Sequence, residues 1–269
     1  MEKYKLRLGN TLYFCREDFH DNLEILHGLG FDTVDFNIAS LWHKPEQEAE
    51  YYARLEEGME DVLRLGMAVN GIHMSFGRSW DISSLDESVR RQAVEKSKSI
   101  FDRTGMLDPY CYIFHPSFEP ISEEKREEHI EALIRSVREL SSETDTLICL
   151  ETLPRSCLMN TSLEAIRIID SIDLPGVKVC VDVNHFLKEK SEDAVLALGD
   201  RIATTHISDH DYVNERHMMP GCGLIDWMGL IGAFEKIGYN GVFNYEVEGT
   251  SFDVKENYRA LFGEYNKMR

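Results

Sequence analysis

Four apolar segments in the second half of the sequence each end in a side chain that ligates metal ions in proteins. The segments are residues 147–151, 178–182, 202–206 and 242–246, and their last residues are Glu151, Asp182, His206 and Glu246. Three carboxylates and one imidazole form a hard donor set, which suits Mn²⁺, Mg²⁺, Co²⁺ or Zn²⁺ and disfavours copper without thiolates. Crowded carboxylates with no cation nearby would also have raised pKa values. The pattern therefore predicts one divalent metal ion.

Each of these segments is short, apolar and rich in β-branched residues, which is typical of a strand buried on both faces of a parallel sheet. Helical patterns alternate with strand patterns, and eight strand–helix units occupy the 269 residues without a linker. Eight such units at this length favour a closed barrel over an open sheet. No glycine-rich phosphate loop supports an open nucleotide-binding sheet. We predict a single-domain α/β fold, the (β/α)8 TIM barrel, over residues 1–269.

Local signals predict where the helices begin and end. Pro45 precedes the second helical pattern, and the motifs at 84–87 and 161–164 have the Ser/Thr-x-x-Glu form of a capping box that opens a helix. Asp226 is the predicted N-cap of the helix before the last strand. A final amphipathic helix is expected over about residues 254–262.

Other polar side chains lie at or just behind the same strand ends, which surround one pocket in a barrel. His73 and His115 end the third and fourth strand patterns, where a hydrogen-bonded core histidine is an equally good explanation. A strand-end carboxylate can also cap the next helix, but for Glu151 a better cap, Thr161, lies downstream. The remaining candidates follow the sixth and seventh strands: His185, Asp209, His210, Glu215, Arg216 and His217.

The charge balance restricts the expected partners. The chain has 48 acidic and 29 basic residues, a net charge of −19, and no run rich in Lys and Arg, so we expect no nucleic-acid surface. No segment has the roughly 20 apolar residues of a membrane span, and a secretory signal is not visible. The six cysteines contain no CxxC pair, and a cytoplasmic location is the simpler interpretation. A homo-oligomer is left open.

Several motifs give the chain a resemblance to the xylose-isomerase-like TIM barrel superfamily, which contains sugar isomerases, sugar epimerases and the family 2 apurinic endonucleases. The motifs are Cys149-Leu-Glu151, Val181-Asp-Val-Asn-His185, His206-Ile-Ser-Asp209, Arg216-His-Met-Met-Pro-Gly-Cys-Gly223 and Asn244-Tyr-Glu246. In the ketose 3-epimerases of this superfamily, positions like Glu151, Asp182, His206 and Glu246 hold one divalent metal ion. Positions like His185 and Arg216 contact the substrate.

The resemblance also implies an alternative, because the apurinic endonucleases hold three zinc ions with nine ligands. The nine counterparts here are all residues of a ligand type: His73, His115, Glu151, Asp182, His185, His206, Glu215, His217 and Glu246. One departure is Glu215, where the endonuclease pattern has aspartate, so that a ligand oxygen would be displaced by one methylene. The acidic surface opposes a DNA substrate, since phosphate contacts require Lys and Arg.

The resemblance and the chemistry together predict an isomerase or epimerase of a sugar or sugar phosphate. A divalent cation would stabilise the enediolate formed when a proton leaves the carbon next to a carbonyl. Glu151 and Glu246 are the predicted bases, since they come from strands three apart and can approach the substrate from opposite sides. His73, His115, His185, Arg216 and His217 are the predicted substrate-binding residues. A non-catalytic sugar-binding barrel is a further alternative.

Overall fold

The computed structural model describes residues 3–38 and 48–269 and contains a closed barrel of eight parallel strands in sequential order. The predicted (β/α)8 fold is therefore confirmed. The strands are β1 (Arg7–Tyr13), β2 (Thr33–Asn37), β3 (Val69–His73), β4 (Cys111–Phe114), β5 (Leu147–Glu151), β6 (Val177–Asp182), β7 (Ile202–Ile207) and β8 (Val242–Tyr245). The helices are α1 (Phe19–Leu29), α2 (Glu48–Leu65), α3 (Glu87–Thr104), α4 (Arg126–Ser141), α5 (Ser162–Ile172), α6 (Ser191–Leu198), α7 (Trp227–Lys236) and α8 (Ser251–Met268).

The barrel closes where β1 pairs with β8 on one side and β2 on the other. Gly9 lies at this closure, opposite Asn244 in β8 and Thr33 in β2. A Cβ atom on Gly9 would lie 2.6 Å from Asn244 Oδ1 and 2.7 Å from a methyl group of Val242. Glycine is therefore needed here, because a larger residue would push the two strands apart.

Two kinds of packing hold the barrel together. Between the sheet and the helices lies an apolar layer that includes Leu23, Leu55 and Phe234, all fully buried. The barrel interior contains polar side chains as well, since Asn70 of β3 donates a hydrogen bond of 2.9 Å to Thr204 Oγ1 of β7, across the barrel. Such hydrogen bonds offset part of the cost of burying these groups, although Asn70 Oδ1 has no hydrogen-bond partner among the described residues. This polar interior lies next to the residues at the strand ends.

The helix starts agree with the sequence in part. Asp226 and Thr161 are N-caps as predicted, and their side chains accept hydrogen bonds from Gly229 N and Glu164 N. The return bond of a capping box at 161–164 is not formed, because the Glu164 carboxylate binds Arg126 and the Met159 N–H. The predicted capping box at 84–87 is wrong, because the N-cap of α3 is Asp86, two residues after Ser84. The motif selects Ser84, but Asp86 is an equally good N-cap, because its carboxylate also accepts a hydrogen bond from a free backbone N–H.

The C-terminal helix is longer than predicted. It runs from Ser251 to Met268, and a capping box of Thr250 and Asp253 opens it. The prediction stopped at residue 262 because the apolar periodicity fades there, whereas Tyr265 continues the helix and donates a hydrogen bond to Glu235 of α7. The prediction at Pro45 lies outside the described residues. Among the described helices, none has the length and apolar character of a membrane span.

Candidate active site

The ends of β5 to β8 bring four predicted metal ligands together. Glu151, Asp182, His206 and Glu246, here called the rim cluster, are buried and offer ligand atoms that all lie within 4.8 Å of one another. Each residue is at or next to the last position of its strand, so the parallel register of the barrel alone places the four side chains at one rim. The structure therefore assembles the set that the sequence pattern indicated.

The two glutamates of the rim cluster each turn one oxygen to His206 and the other oxygen elsewhere. His206 Nδ1 lies 2.9 Å from Glu151 Oε1 and 3.0 Å from Glu246 Oε2. The second oxygen of Glu246 accepts a hydrogen bond of 3.2 Å from the Tyr13 hydroxyl. The second oxygen of Glu151 lies 3.1 Å from His73 Nε2 and 3.0 Å from His115 Nε2. Both carboxylates therefore belong to the rim cluster and to the space beside it.

His73 and His115 form a smaller group around the second oxygen of Glu151, and these three residues could also hold a metal ion. The pKa values of the two rings shift in opposite directions. Burial lowers the pKa of His115 below its ordinary value, despite Glu151. Burial also opposes the charge on His73, but the hydrogen bond to Glu151 outweighs it and raises the pKa of His73. Phe76 stacks on the His115 ring with the centroids 4.3 Å apart.

The rim cluster is a network of buried charges. Burial alone would raise the pKa of Glu151 and of Glu246, but the adjacent His206 ring lowers both, that of Glu246 to about 2. Burial would lower the pKa of His206, yet the adjacent carboxylates of Glu246 and Glu151 raise it well above its ordinary value. Burial raises the pKa of Asp182 to about 6. A protonated His206 thus provides the positive charge that these carboxylates need, and a cation would take over that role.

The donor set fits a divalent cation. Asp182 Oδ2 is buried and has no hydrogen-bond partner among the residues that the structure describes. His185 Nδ1 lies 3.3 Å from that oxygen but donates instead to the carbonyl of Thr152, at 2.8 Å. An unpaired buried carboxylate oxygen is costly, and a cation shared with Glu151, His206 and Glu246 would remove the cost. These four residues would hold the metal ion.

A cavity of about 250 Å³ opens beside the rim cluster. Its inner wall contains Tyr13, Glu151 and Glu246. Four histidines also line the cavity: His73, His115, His185 and His217. Phe76 and Phe118 line its outer part and are 44% and 38% exposed. Polar groups on the inner side and apolar groups on the outer side are typical of a small-molecule site.

Four loops, those after β4, β5, β6 and β7, meet at the entrance of this cavity through one chain of ion pairs. His185 Nε2 lies 3.3 Å from Glu215, which is 2.6 Å from a terminal nitrogen of Arg155. Arg155 also pairs with Glu119 at 2.6 Å. His185 and Arg155 hold the pKa of Glu215 at about 2, and Asp182 and Glu215 raise the pKa of His185 to about 9 against the effect of burial. The positive charge at the entrance is therefore already neutralised.

The structure separates Arg216 from the other predicted substrate-binding residues. Its side chain is half exposed and pairs with Asp211 at 2.9 Å, while its backbone N–H donates to Asn184. His217, the next residue, lines the cavity and its Nδ1 lies 3.1 Å from the carbonyl of Glu246. A substrate contact of Arg216 stays a prediction.

The loop that carries Glu215 and His217 is fastened by Asp209. Its buried carboxylate accepts hydrogen bonds from the backbone N–H groups of Gly221, Gly223 and Ile225, at 2.8–3.1 Å, and from the Trp227 indole at 2.8 Å. A Cβ atom on Gly223 would lie 2.4 Å from Asp209 Oδ1. The His-Ile-Ser-Asp and Pro-Gly-Cys-Gly motifs thus meet as one structural unit.

Tyr13 and Arg155 are among the residues of the site that were not predicted from the sequence. The apolar pattern at residues 6–9 predicts a first strand that ends four residues before Tyr13, whereas β1 continues to Tyr13 and places it at the rim. Arg155 adopts a positive φ of 53° in the loop after β5 and reaches the cavity from there. A local signal existed for Tyr13, an aromatic residue at the C-terminal end of a strand, whereas the position of Arg155 depends on contacts with two other loops.

Fold and site together define a (β/α)8 barrel protein with a buried donor set for a divalent cation at the C-terminal ends of its strands. A family model described as xylose isomerase-like TIM barrel matches residues 23–264. The chain belongs to this family.

Relatives and solved structures agree with this assignment. The chain is 25% identical over 248 residues to the D-psicose 3-epimerase of Enterocloster bolteae, covering 85% of this chain and 77% of that protein. It is 29% identical over 186 residues to the L-ribulose 3-epimerase of a Methylomonas species, covering 65% of this chain and 63% of that protein. The crystal structure of a D-tagatose 3-epimerase-like protein superposes with a TM-score of 0.81 at 19% identity, over 98% of both chains, and shows the same fold.

Proposed function

We propose that this protein is a divalent-metal-dependent epimerase of a free sugar, acting at the carbon next to the carbonyl. The observation that carries the proposal is the placement of Glu151 and Glu246, each with one oxygen in the rim cluster and one directed to Tyr13 or to the two histidines. Relatives named sugar 3-epimerases support this reaction class. A non-catalytic sugar-binding barrel would need no such pair of carboxylates.

The two carboxylates are suited to opposite roles in proton transfer. One takes the proton from the carbon next to the carbonyl and gives an enediolate, and the other, on the opposite side, returns a proton and inverts that carbon. Their low pKa values mean that both are ionised at neutral pH and that either can start as the base. A divalent metal ion on the rim cluster would supply Lewis-acid polarisation of the substrate oxygens.

The charges around the cavity favour a free sugar over a sugar phosphate. Among the residues that the structure describes, Arg155 is the one Lys or Arg side chain that lines the cavity, and all of its guanidinium nitrogens donate to Glu119 or Glu215. A phosphate would have to compete with these two carboxylates and would also approach Glu151 and Glu246. His185 and His217 can instead donate hydrogen bonds to sugar hydroxyl groups, while Phe76 and Phe118 face the less polar part of the substrate.

A panel of free and phosphorylated ketoses in D₂O, with Mn²⁺ added, tests this function. We expect deuterium at the carbon next to the carbonyl and formation of the epimer with one or more free ketoses, and at least about tenfold slower exchange with their phosphates. Exchange with the phosphates alone would contradict the substrate class. Tight binding of a ketose without exchange would favour the sugar-binding alternative.

The group of His73, His115 and Glu151 favours a second candidate, a trinuclear zinc phosphodiesterase acting on abasic DNA, as in the endonucleases of the superfamily. The net charge of −19 opposes that substrate. Glu215 is also committed to Arg155 and His185. We therefore expect one metal ion per chain and no cleavage of abasic DNA. Three zinc ions per chain with salt-sensitive cleavage would establish the nuclease instead.

A further inference from the structure

A buried carboxylate that belongs to neither the rim cluster nor the cavity wall lies beside the metal-ligand candidate His206. Asp35 is in β2 and His206 is in β7, and both side chains are completely buried. These strands are not neighbours in the sheet, so the contact crosses the barrel interior. Asp35 Oδ2 lies 3.3 Å from His206 Nε2.

Asp35 Oδ2 and His206 Nε2 have no other ion-pair partner in the structure as described. Within residues 3–38 and 48–269, Asp35 Oδ2 and His206 Nε2 form no hydrogen bond, and each has the other as its ion-pair partner at 3.3 Å. The second oxygen of Asp35 is already satisfied, because Asn70 Nδ2 donates to Oδ1 at 2.6 Å. A buried polar atom without a partner costs free energy, and each of these two atoms would leave the other unpaired if it were removed.

The contact with Asp35 favours the tautomer of His206 in which Nδ1, the nitrogen that faces the rim cluster, carries the lone pair. His206 Nδ1 lies 2.9 Å from Glu151 and 3.0 Å from Glu246, on the side where a cation would be held. A neutral imidazole has one N–H and one lone pair, and a metal ion takes the lone pair. A carboxylate facing Nε2 stabilises the proton on that nitrogen and leaves Nδ1 free for the cation.

The fold makes room for this carboxylate. Gly71 of β3 lies next to Asp35, and a Cβ atom there would be 3.2 Å from the Asp35 carboxylate and 2.5 Å from Ile113. Cys180 lies beside the same histidine ring, but burial raises the pKa of its thiol well above the ordinary value. A neutral thiol is a weak acceptor, so it does not replace the carboxylate.

We propose that Asp35 is a positioning residue that orients His206 and fixes its tautomer for metal binding. The inference rests on the proposed metal site and adds to it a residue that the four ligands do not include. Asp35 does not line the substrate cavity, so its effect on the reaction passes through His206. Outer partners of metal-bound histidines typically change metal affinity by about 10–100-fold.

The test is a titration of the metal-free, full-length protein with Mn²⁺, in which electron paramagnetic resonance measures the free ion. Asp35→Asn keeps the size of the side chain and removes the charged acceptor. Thr204→Val is the matched control, because it removes the other hydrogen bond of Asn70 in the same buried network and leaves Asp35 and His206 in place. We expect the dissociation constant for Mn²⁺ to rise about 10–100-fold in Asp35→Asn and to stay within a few-fold in Thr204→Val.

The outcomes separate this inference from the proposed function. Equal Mn²⁺ affinity of the wild type and Asp35→Asn overturns the role of Asp35 and leaves the metal site standing. A wild type that binds no Mn²⁺ overturns both. A similar loss of affinity in the two variants would show a general effect of the buried network and would also overturn the role of Asp35.

A second measurement uses the wild-type protein, so its result does not depend on whether Asp35→Asn folds. Nitrogen NMR of histidine-labelled, Zn²⁺-loaded wild-type protein reports which ring nitrogen of His206 carries the proton. We expect a slowly exchanging proton on Nε2 and none on Nδ1. A proton on Nδ1, with Nε2 bound to the metal ion, would overturn the inference.

Discussion

The two halves of the barrel rim carry different chemistry. Strands β5 to β8 end in the rim cluster, three carboxylates and one histidine, whereas β1, β3 and β4 contribute Tyr13, His73 and His115. The β5–β8 half is a donor set for a cation, and the β1–β4 half offers two imidazole rings and a phenol that can form hydrogen bonds. Glu151 belongs to both halves, since one of its oxygens faces His206 and the other faces the two histidines. The donor set for a cation is therefore confined to one half of the rim, whereas side chains of both halves line the cavity.

The largest effect is expected from removing a carboxylate of the β5–β8 half. Asp182→Ala takes away a predicted ligand whose Oδ2 has no hydrogen-bond partner among the described residues, so we expect metal affinity to fall by more than the roughly 100-fold typical of outer residues, and sugar turnover to vanish with it. Elemental analysis of the purified protein measures the loss. His115→Ala, in the other half, is the control and should keep one metal ion per chain. Equal metal loss in both variants would erase the distinction between the halves.

Glu246→Gln should separate proton transfer from metal binding. The amide retains an oxygen that can ligate weakly but cannot take a proton, so we expect deuterium exchange to fall by roughly 10²–10⁴-fold, with a smaller loss of metal. Solvent-exchange NMR and elemental analysis on the same sample give both values. Glu248 is an exposed carboxylate two residues further on, and Glu248→Gln is the control. It should change neither the rate of deuterium exchange nor the metal content. Parallel losses of exchange and metal would make Glu246 a ligand only.

The β5–β8 half could be predicted from sequence because each ligand directly ends or follows a buried strand, and the barrel places all such ends together. The other half could not be predicted in the same way. The strand pattern at β1 stopped at Gly9 because Asn10 and Thr11 interrupt the apolar run, yet both are buried and the strand continues to Tyr13. Arg155 depends on a positive φ and on contacts between separate loops, which no local pattern encodes.

Tyr13→Phe tests the contribution of the β1–β4 half to the base. The hydroxyl donates to Glu246 Oε1 and fixes that oxygen in the cavity. A hydrogen bond to a charged group contributes about 1.5–3 kcal/mol, so we expect turnover to fall by about 10–100-fold. Metal content should stay at one ion per chain, since the hydroxyl does not contact His206 or Asp182. A rise in KM with unchanged kcat would instead make Tyr13 a substrate-binding residue.

The smallest effect concerns stability at the entrance of the cavity. Glu215 has a pKa of about 2, below its ordinary 4.5, because of His185 and Arg155. A lowered pKa gives stability that is fully present above pH 4.5 and is lost as the pH falls toward 2. The difference in unfolding free energy between the wild type and Glu215→Gln should therefore shrink over that range in denaturant titrations. A difference that is constant with pH would show that Glu215 is not held by these charges.

The central claim is that one divalent metal ion lies in the β5–β8 half of the rim. Anomalous scattering from crystals grown with Mn²⁺ tests it most directly, because it locates each ion without assuming its ligands. We predict a single peak in contact with Glu151, Asp182, His206 and Glu246. A second peak between His73 and His115, or a third beside His185 and His217, would contradict it and would favour the trinuclear phosphodiesterase.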